Sequence, residues 1–160
     1  MTIKPGDTLP EATLSIMGEK GPQSATTSDL FKGKTVAVFA VPGAFTPTCS
    51  AKHLPGFLEH TEDFKAKGVD SIVCLSVNDA FVMNAWGKDQ NVGGRIVMAA
   101  DGSADFTRKI GLEMDASKFG MGTRSQRYSM LVKDGVVEKL NVEEPGAFGA
   151  SSAETLLGQI

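Results

Sequence analysis

Cysteine, histidine and the larger aromatics are scarce in this chain: its 160 residues include two Cys, two His, one Trp and one Tyr beside nine Phe. Two cysteines cannot make a disulfide framework. At this length folding buries roughly two-thirds of the unfolded chain's surface, so a core forms without covalent staples. An excess of positive charge is also absent, since 16 Lys and Arg face 19 Asp and Glu for a net charge of −3 and a pI near 5.4. With no block of like charges, non-specific binding to nucleic acid is not expected. The longest apolar run, Val36-Ala37-Val38-Phe39-Ala40-Val41, is too short to span a bilayer, and Met1-Thr2-Ile3-Lys4-Pro5-Gly6-Asp7 lacks the apolar stretch of a signal peptide. The expectation is a cytoplasmic protein in which Cys49 and Cys74 are free thiols, retained for burial or for reactivity.

What is present reads as alternating elements. No repeat, low-complexity tract or long linker interrupts residues 1–160, so a single domain is expected. After a short strand near Thr13–Met17, the β-branched run Thr35–Val41 is apolar on both faces and reads as a central strand that stops at Pro42-Gly43. A helix should open at Thr48-Cys49, break at Pro55-Gly56 and continue through Phe57, Leu58 and Phe64 until Gly68 caps it. Ser71–Val77 is the next strand, Asn78-Asp79 caps a helix over Ala80–Lys88, and Ile96–Ala99 is a third strand closed by Asp101-Gly102. Such alternation implies parallel pairing. Tyr128–Lys133 and Val136–Val142 then flank Asp134-Gly135, a hairpin signal, and Ala153–Leu157 reads as a closing helix. An α/β chain of β-α-β units followed by a hairpin and a helix matches the thioredoxin-like arrangement, a central mixed sheet flanked by helices, although order alone also suits other α/β sandwiches.

The segment with chemistry in it is Val41-Pro42-Gly43-Ala44-Phe45-Thr46-Pro47-Thr48-Cys49, a loop running from the end of a central strand into a helix start. Ligands of open α/β sheets bind at the carboxyl ends of strands. A cysteine in a first helical turn faces unpaired N–H groups and the positive end of the helix dipole, which favour thiolate over thiol. Thioredoxin-like redox proteins carry a C-x-x-C pair here, whereas Thr46-Pro47-Thr48-Cys49 keeps the second cysteine and puts a hydroxyl in place of the first. A local dithiol–disulfide cycle is excluded, and with it a disulfide reductase.

Ionising an ordinary cysteine completely raises its reactive fraction about thirty-fold at neutral pH, or roughly 2 kcal/mol. Fast attack on an O–O bond needs in addition donors aimed at the oxygen that leaves. Thr46 offers a hydroxyl, and a guanidinium is the permanent multi-donor cation such a site requires, with Arg124 and Arg127 as candidates.

Pro42-Gly43-Ala44-Phe45-Thr46-Pro47-Thr48-Cys49-Ser50, followed by His53-Leu54-Pro55-Gly56-Phe57, resembles the active-site signature of the peroxiredoxin-5 subfamily of peroxiredoxins. The P-x-x-x-T-x-x-C core is common to peroxiredoxins, and the A-F-T-P and H-L-P-G-F portions are particular to this subfamily. The resemblance extends through Ser76-Val77-Asn78-Asp79, Ala99 with Asp101-Gly102, Arg127-Tyr128-Ser129 and Leu140-Asn141-Val142-Glu143. It implies that Cys49 is the peroxidatic cysteine, Thr46 its hydroxyl partner, Pro42 the shield that keeps water from the thiolate, and Arg127 rather than Arg124 the guanidinium. It also implies a homodimer and no cofactor. Animal members carry a resolving cysteine in the loop after the last strand, where this chain has Gly146-Ala147-Phe148-Gly149-Ala150-Ser151-Ser152 and no thiol. The form left resembles the bacterial and plant type, in which an outside thiol resolves the sulfenic acid: glutathione with glutaredoxin, or thioredoxin.

Other residues read more plainly. Cys74, in Ser71-Ile72-Val73-Cys74-Leu75-Ser76-Val77, is expected to be an inert core thiol, since resolution would need Cα atoms within about 7 Å. His53, four residues after Cys49, either activates the thiolate or makes structural hydrogen bonds around Pro55-Gly56, and the second is expected. His60 lies a helical rise of roughly 16 Å from Cys49, too far for Cys49, His53 and His60 to share a zinc ion. Glu59, Glu62, Asp63, Lys65 and Lys67 form a solvated face, Gly87 and Gly93-Gly94 are not a phosphate loop, and Trp86 is a packing or dimer residue. The expected function is thiol-dependent reduction of hydrogen peroxide or organic hydroperoxides. The alternative from another class is a peroxide-sensing switch or holdase that uses Cys49 to engage a protein partner.

Overall fold

In the computed structural model, which describes residues 2–160, the expected elements organise one mixed sheet. The chain forms β1 (Thr13–Gly18), β2 (Gly21–Thr26), α1 (Thr27–Phe31) and β3 (Thr35–Val41), then a π-helical segment over Cys49–His53. There follow α2 (Leu54–Glu59), α3 (Thr61–Ala66), β4 (Ser71–Ser76), α4 (Ala80–Asp89), β5 (Val97–Ala100) and α5 (Asp105–Lys109). A small hairpin of β6 (Glu113–Asp115) and β7 (Thr123–Ser125) precedes β8 (Tyr128–Lys133), β9 (Val136–Val142) and α6 (Ala153–Leu157). The main sheet has seven strands in the order β2-β1-β5-β4-β3-β8-β9. Only β3, β4 and β5 run parallel, as the alternation requires, and the hairpins attach antiparallel at both sides. This is a thioredoxin-like fold.

The central position of β3 follows from its composition. Val36 to Val41 are fully buried, and alternate side chains supply two cores, one on each face of the sheet. One face gathers Phe39, Val41, Cys49, Leu54, Phe57, Phe64, Cys74 and Trp86 under α2–α4 and α6, and the other gathers Val36, Val38, Leu75, Phe106 and Tyr128. Asp134 and Gly135, at φ of 49° and 78°, turn the β8–β9 hairpin in the left-handed region that the Asp-Gly pair suggests.

Two expectations need correction. The helix after Cys49 does not break at Pro55-Gly56; it breaks at His60, where φ is −103° and ψ 15°, between α2 and α3. Proline lacks an N–H and crowds the carbonyl four residues back, and the chain accommodates it by opening one wide turn ahead of it, with Leu54 N–H donating to Cys49 O. Pro55 then sits in the first turn of α2, where its missing donor costs little. The sequence reading also omits β2, α1, α5, β6 and β7, each six residues or shorter.

The aromatic stack beneath the π-helical segment fixes its height above the sheet. Phe57 lies 4.2 Å from Phe39 and 5.4 Å from Phe64 between ring centroids, with interplanar angles of 10° and 5°. Phe57→Ala removes the middle ring of this stack and should cost about 3–5 kcal/mol in urea unfolding, with m unchanged.

Candidate active site

Two side chains converge on one sulfur. The loop Pro42–Thr48 leaves the carboxyl end of β3 and delivers Cys49 at the start of the π-helical segment, with no exposed surface. Its shape is fixed from outside: Asn78 Oδ1 accepts from Ala44 N–H at 3.0 Å and from the Ser76 hydroxyl at 2.6 Å. Arg124 donates to Pro42 O at 3.3 Å and to Met121 O at 3.0 Å. Between these anchors Phe45 is held at φ 65°, a left-handed conformation that costs a non-glycine residue about 1–3 kcal/mol and persists only where neighbours enforce it. The strained turn aims Thr46 at Cys49.

Thr46 Oγ1 lies 2.8 Å from Cys49 Sγ and 2.7 Å from Gly43 O. A hydroxyl has one proton, so the two contacts mark two states. With a thiolate, the hydroxyl donates to sulfur. With a thiol, S–H can donate to Thr46 and the hydroxyl turns to Gly43 O. Arg127 also reaches the sulfur, its Nη2 donating to Cys49 Sγ at 3.0 Å. Its position follows from sheet order: β8 pairs antiparallel with β3, Tyr128 opposite Ala40, which leaves Arg127 beside the carboxyl end of β3.

The second arm of the guanidinium is also held. Arg127 Nη1 donates to His53 Nδ1 at 2.8 Å, and His53 Nε2 lies 2.9 Å from Ser151 O, which accepts its proton. His53 is fully buried and neutral. Burial, followed by the Arg127 charge, pushes its pKa down to about 3, against the weaker upward pull of Ser151 O and Glu143. Neither alternative for His53 survives unchanged: it does not touch the sulfur, and its partners are Arg127 and Ser151 rather than groups around Pro55-Gly56. Both ring nitrogens are engaged, so neither is free to bind a metal. The Ser151 end is anchored by Glu143, whose Oε2 accepts from Gly149 N–H, Ser151 N–H and the Ser151 hydroxyl, each at 2.7 Å. Burial raises the Glu143 pKa, but these donors at Ser151 and Gly149 outweigh it and hold the carboxyl below its usual value.

The sequence-selected residues Thr46, Cys49 and Arg127 thus meet, while Pro42 lines an adjoining cavity of about 570 Å³ with Thr48, Met114, Phe119, Arg127 and Pro145. Arg124 holds the loop backbone and makes no contact with sulfur. Trp86 is fully buried, donates to the Ser50 hydroxyl at 3.0 Å, and is a packing residue rather than a surface contact. Cys74 is buried in β4 on the same face as Cys49, and burial, followed by the neighbouring Cys49, pushes its thiol pKa well up. Sequence reasoning gave Asn78, Glu143 and Ser151 no role at the site. The one local hint was a carboxylate, Glu143, just ahead of a Gly/Ser-rich loop that offers free N–H groups.

A neutral buried His carries a sign for stability. Its folded pKa lies below the unfolded value near 6.5, so between these values the unfolded state binds the extra proton and stability falls as pH falls. His60, raised by its hydrogen bond to Asp63 against slight desolvation, has the opposite sign, with stability present below 6.5 and lost as pH rises through its folded value. It changes little below pH 6. Lowering the pH from 6 to 5 should therefore remove about 1 kcal/mol in urea unfolding, and His53→Gln should flatten that dependence.

Three comparisons bear on identity. The Redoxin family model matches residues 4–157. Peroxiredoxin-2E, chloroplastic, of Arabidopsis thaliana is 49% identical, covering 98% of this chain and 68% of its own length, and Peroxiredoxin-2B of the same plant is 48% identical, covering 97% and 96%. The crystal structure of reduced Prx3 in complex with H2O2 from Vibrio vulnificus is 54% identical and superposes with a TM-score of 0.95 over 99% of both chains. A buried cysteine between a threonine hydroxyl and an arginine, at the mouth of a thioredoxin-like sheet, therefore sits in a chain that belongs to the Redoxin family and, within it, to the peroxiredoxins.

Proposed function

We infer that this chain carries out thiol-dependent reduction of peroxides, as membership of the peroxiredoxins implies. We propose that Cys49 is the residue that performs it, and that an external thiol completes the cycle. The observation that supports this is the pair of donors on one sulfur, Thr46 Oγ1 at 2.8 Å and Arg127 Nη2 at 3.0 Å. Both favour negative charge on sulfur, and both remain beside the O–O bond once a hydroperoxide lies against it. The thiolate lone pair attacks the terminal oxygen, the O–O bond breaks, and the departing alkoxide or hydroxide leaves as alcohol or water after taking a proton. Cys49 becomes a sulfenic acid. A first external thiol displaces water to form a mixed disulfide, and a second attacks that disulfide and restores the Cys49 thiol. Pro42 walls the route from solvent, and the cavity of about 570 Å³ gives room for an organic hydroperoxide as well as hydrogen peroxide.

What surrounds Cys49 supports an external reductant. Cys74 lies in mid-strand with its thiol held protonated by burial, and the loop between β9 and α6 has no cysteine. Because Cys49 has no exposed surface, the Cys49–His53 segment must open before glutathione with glutaredoxin, or thioredoxin, can reach the sulfenic sulfur. A homodimer is part of the proposal, and the half-exposed Phe45 and the more exposed Phe81 and Phe119 supply apolar surface for it to cover. So is a cytoplasmic setting, and no helix among the described residues is long and apolar enough to cross a membrane.

Intact mass after one equivalent of hydrogen peroxide tests the assignment directly. Wild-type protein should gain one oxygen on Cys49, convert it to a glutathione adduct, and lose the adduct to glutaredoxin. Cys49→Ser should gain nothing and turn over no peroxide, whereas Cys74→Ser should keep most of the activity. Full turnover by Cys49→Ser overturns the reading. An internal disulfide to Cys74 replaces the external thiol with a two-cysteine cycle, and a stable oxidised form that only changes oligomeric state favours the switch or holdase.

Arg127→Ala separates thiolate formation from stabilisation of the leaving oxygen. Losing the thiolate alone accounts for about thirty-fold, and losing a donor to the developing oxyanion costs about 10²–10³-fold more. Stopped-flow peroxide reduction should therefore slow by well over thirty-fold, and a smaller loss would assign the guanidinium role elsewhere.

A further inference from the structure

We propose that His53 is a positioning residue for the peroxide reaction: locked as its Nε2–H tautomer by Ser151 O, it presents a lone pair that fixes the Arg127 guanidinium over Cys49. This rests on Cys49 being the reacting cysteine, and it adds a residue that does not itself touch sulfur or peroxide.

A guanidinium on a long side chain has many rotamers, and one contact to a sulfur leaves it free to swing about that contact. Arg127 is instead held at two points of its planar fork, Nη2 on Cys49 Sγ at 3.0 Å and Nη1 on His53 Nδ1 at 2.8 Å. The second point works only if Nδ1 carries no proton, because a protonated Nδ1 would turn its N–H toward another donor. Neutral imidazole keeps one nitrogen protonated and one free, and the hydrogen bond made by the first decides which. Here the deciding acceptor is Ser151 O, 2.9 Å from Nε2. A backbone carbonyl is always an acceptor, so the tautomer is set by the chain and not by pH.

The carbonyl is itself held in place. Glu143 Oε2 gathers Gly149 N–H, Ser151 N–H and the Ser151 hydroxyl, which pins the loop carrying Ser151. Glu143 N–H donates to Arg127 O at 2.9 Å, so the backbone of the same residue fixes the root of the arginine. The head of Arg127 is held through His53 and its root through Glu143. Phe39 and Phe148 flank the His53 ring at centroid distances of 5.0 and 5.2 Å, which keeps water from competing for Nδ1.

The test compares two reactions of one sulfur. Alkylation by iodoacetamide reports thiolate reactivity, whereas peroxide reduction also needs a guanidinium in register with the leaving oxygen. A ring without nitrogen, His53→Phe, should slow peroxide reduction about 10–100-fold, and change alkylation at a pH where Cys49 is fully ionised by less than about three-fold. His53→Gln, whose amide can accept from Arg127 and donate to Ser151 O, should recover most of the peroxide rate. On an Arg127→Lys background, His53→Phe should cost less than about three-fold more, since the group it positions is already gone. An unchanged peroxide rate in folded His53→Phe, equal losses in both reactions, or independent losses in the double variant would each overturn the proposal. If His53→Phe does not fold, Glu143→Gln provides the same comparison, with a selective loss of peroxide rate expected and equal or no loss overturning the role. Cys49→Ser, measured alongside, separates this failure from failure of the Cys49 assignment.

Discussion

The negative charge that the proposed reaction needs on Cys49 has to be solvated by the protein, because the side chain has no access to water. Moving an ion out of water costs several kcal/mol even in relaxed protein interiors, and only donors already in place can offset it without reorganising during the reaction. Most of the geometry around Cys49 would be unnecessary for an exposed thiol. The left-handed Phe45, the Asn78 and Arg124 anchors, and the two-point hold on Arg127 all serve to present one hydroxyl and one guanidinium to a buried sulfur. The sheet contributes by register: β3 and β8 are neighbours, so residues separated by 78 positions, Cys49 and Arg127, meet without a flexible connection.

The two thiols show what this arrangement adds to burial alone. Cys49 and Cys74 are both fully buried and both belong to the core on one face of the sheet. Around Cys74, burial has no charged donor to offset it, and its thiol is pushed toward the protonated form. Around Cys49 the same face of the sheet offers a hydroxyl and a guanidinium. Two side chains thus distinguish the surroundings of one buried sulfur from those of the other.

Those elements whose signals are local were legible in the sequence. The run Thr35–Val41, the Asp134-Gly135 turn and the loop ending in Cys49 each carry their structure in a few adjacent residues. The short β2, Gly21-Pro22-Gln23-Ser24-Ala25-Thr26, has neither alternation nor a β-branched run and forms because β1 is there to pair with it. The π-helical turn had no signature apart from Pro55, which suggests a break and instead provokes a wider turn just upstream. At the site, Thr46 and Cys49 were readable together because they lie in one turn. Arg127 was distinguishable from Arg124 only through resemblance, since both precede β8 within four residues and sheet register alone decides which faces the sulfur. His53 drew attention for the wrong contact, because its partner Ser151 lies 98 positions away.

Burial that serves the first half of the cycle opposes the second. In the proposed cycle a sulfenic acid buried beside Arg127 cannot meet an external thiol, so the segment that supplies the geometry must also be the one that yields. The Cys49–His53 turn is suited to both: its π-type bond, Leu54 N–H to Cys49 O, is the less favourable kind of helical closure, while Trp86 steadies it through Ser50 and His53 through Ser151. Oxidation places an extra oxygen between Cys49 and its donors, and an Arg127 contact that stabilises a thiolate has less to gain from a neutral sulfenic acid. In the proposed cycle the state that favours attack on peroxide is therefore weakened by its own product, which favours opening of the turn at the stage when a thiol is needed.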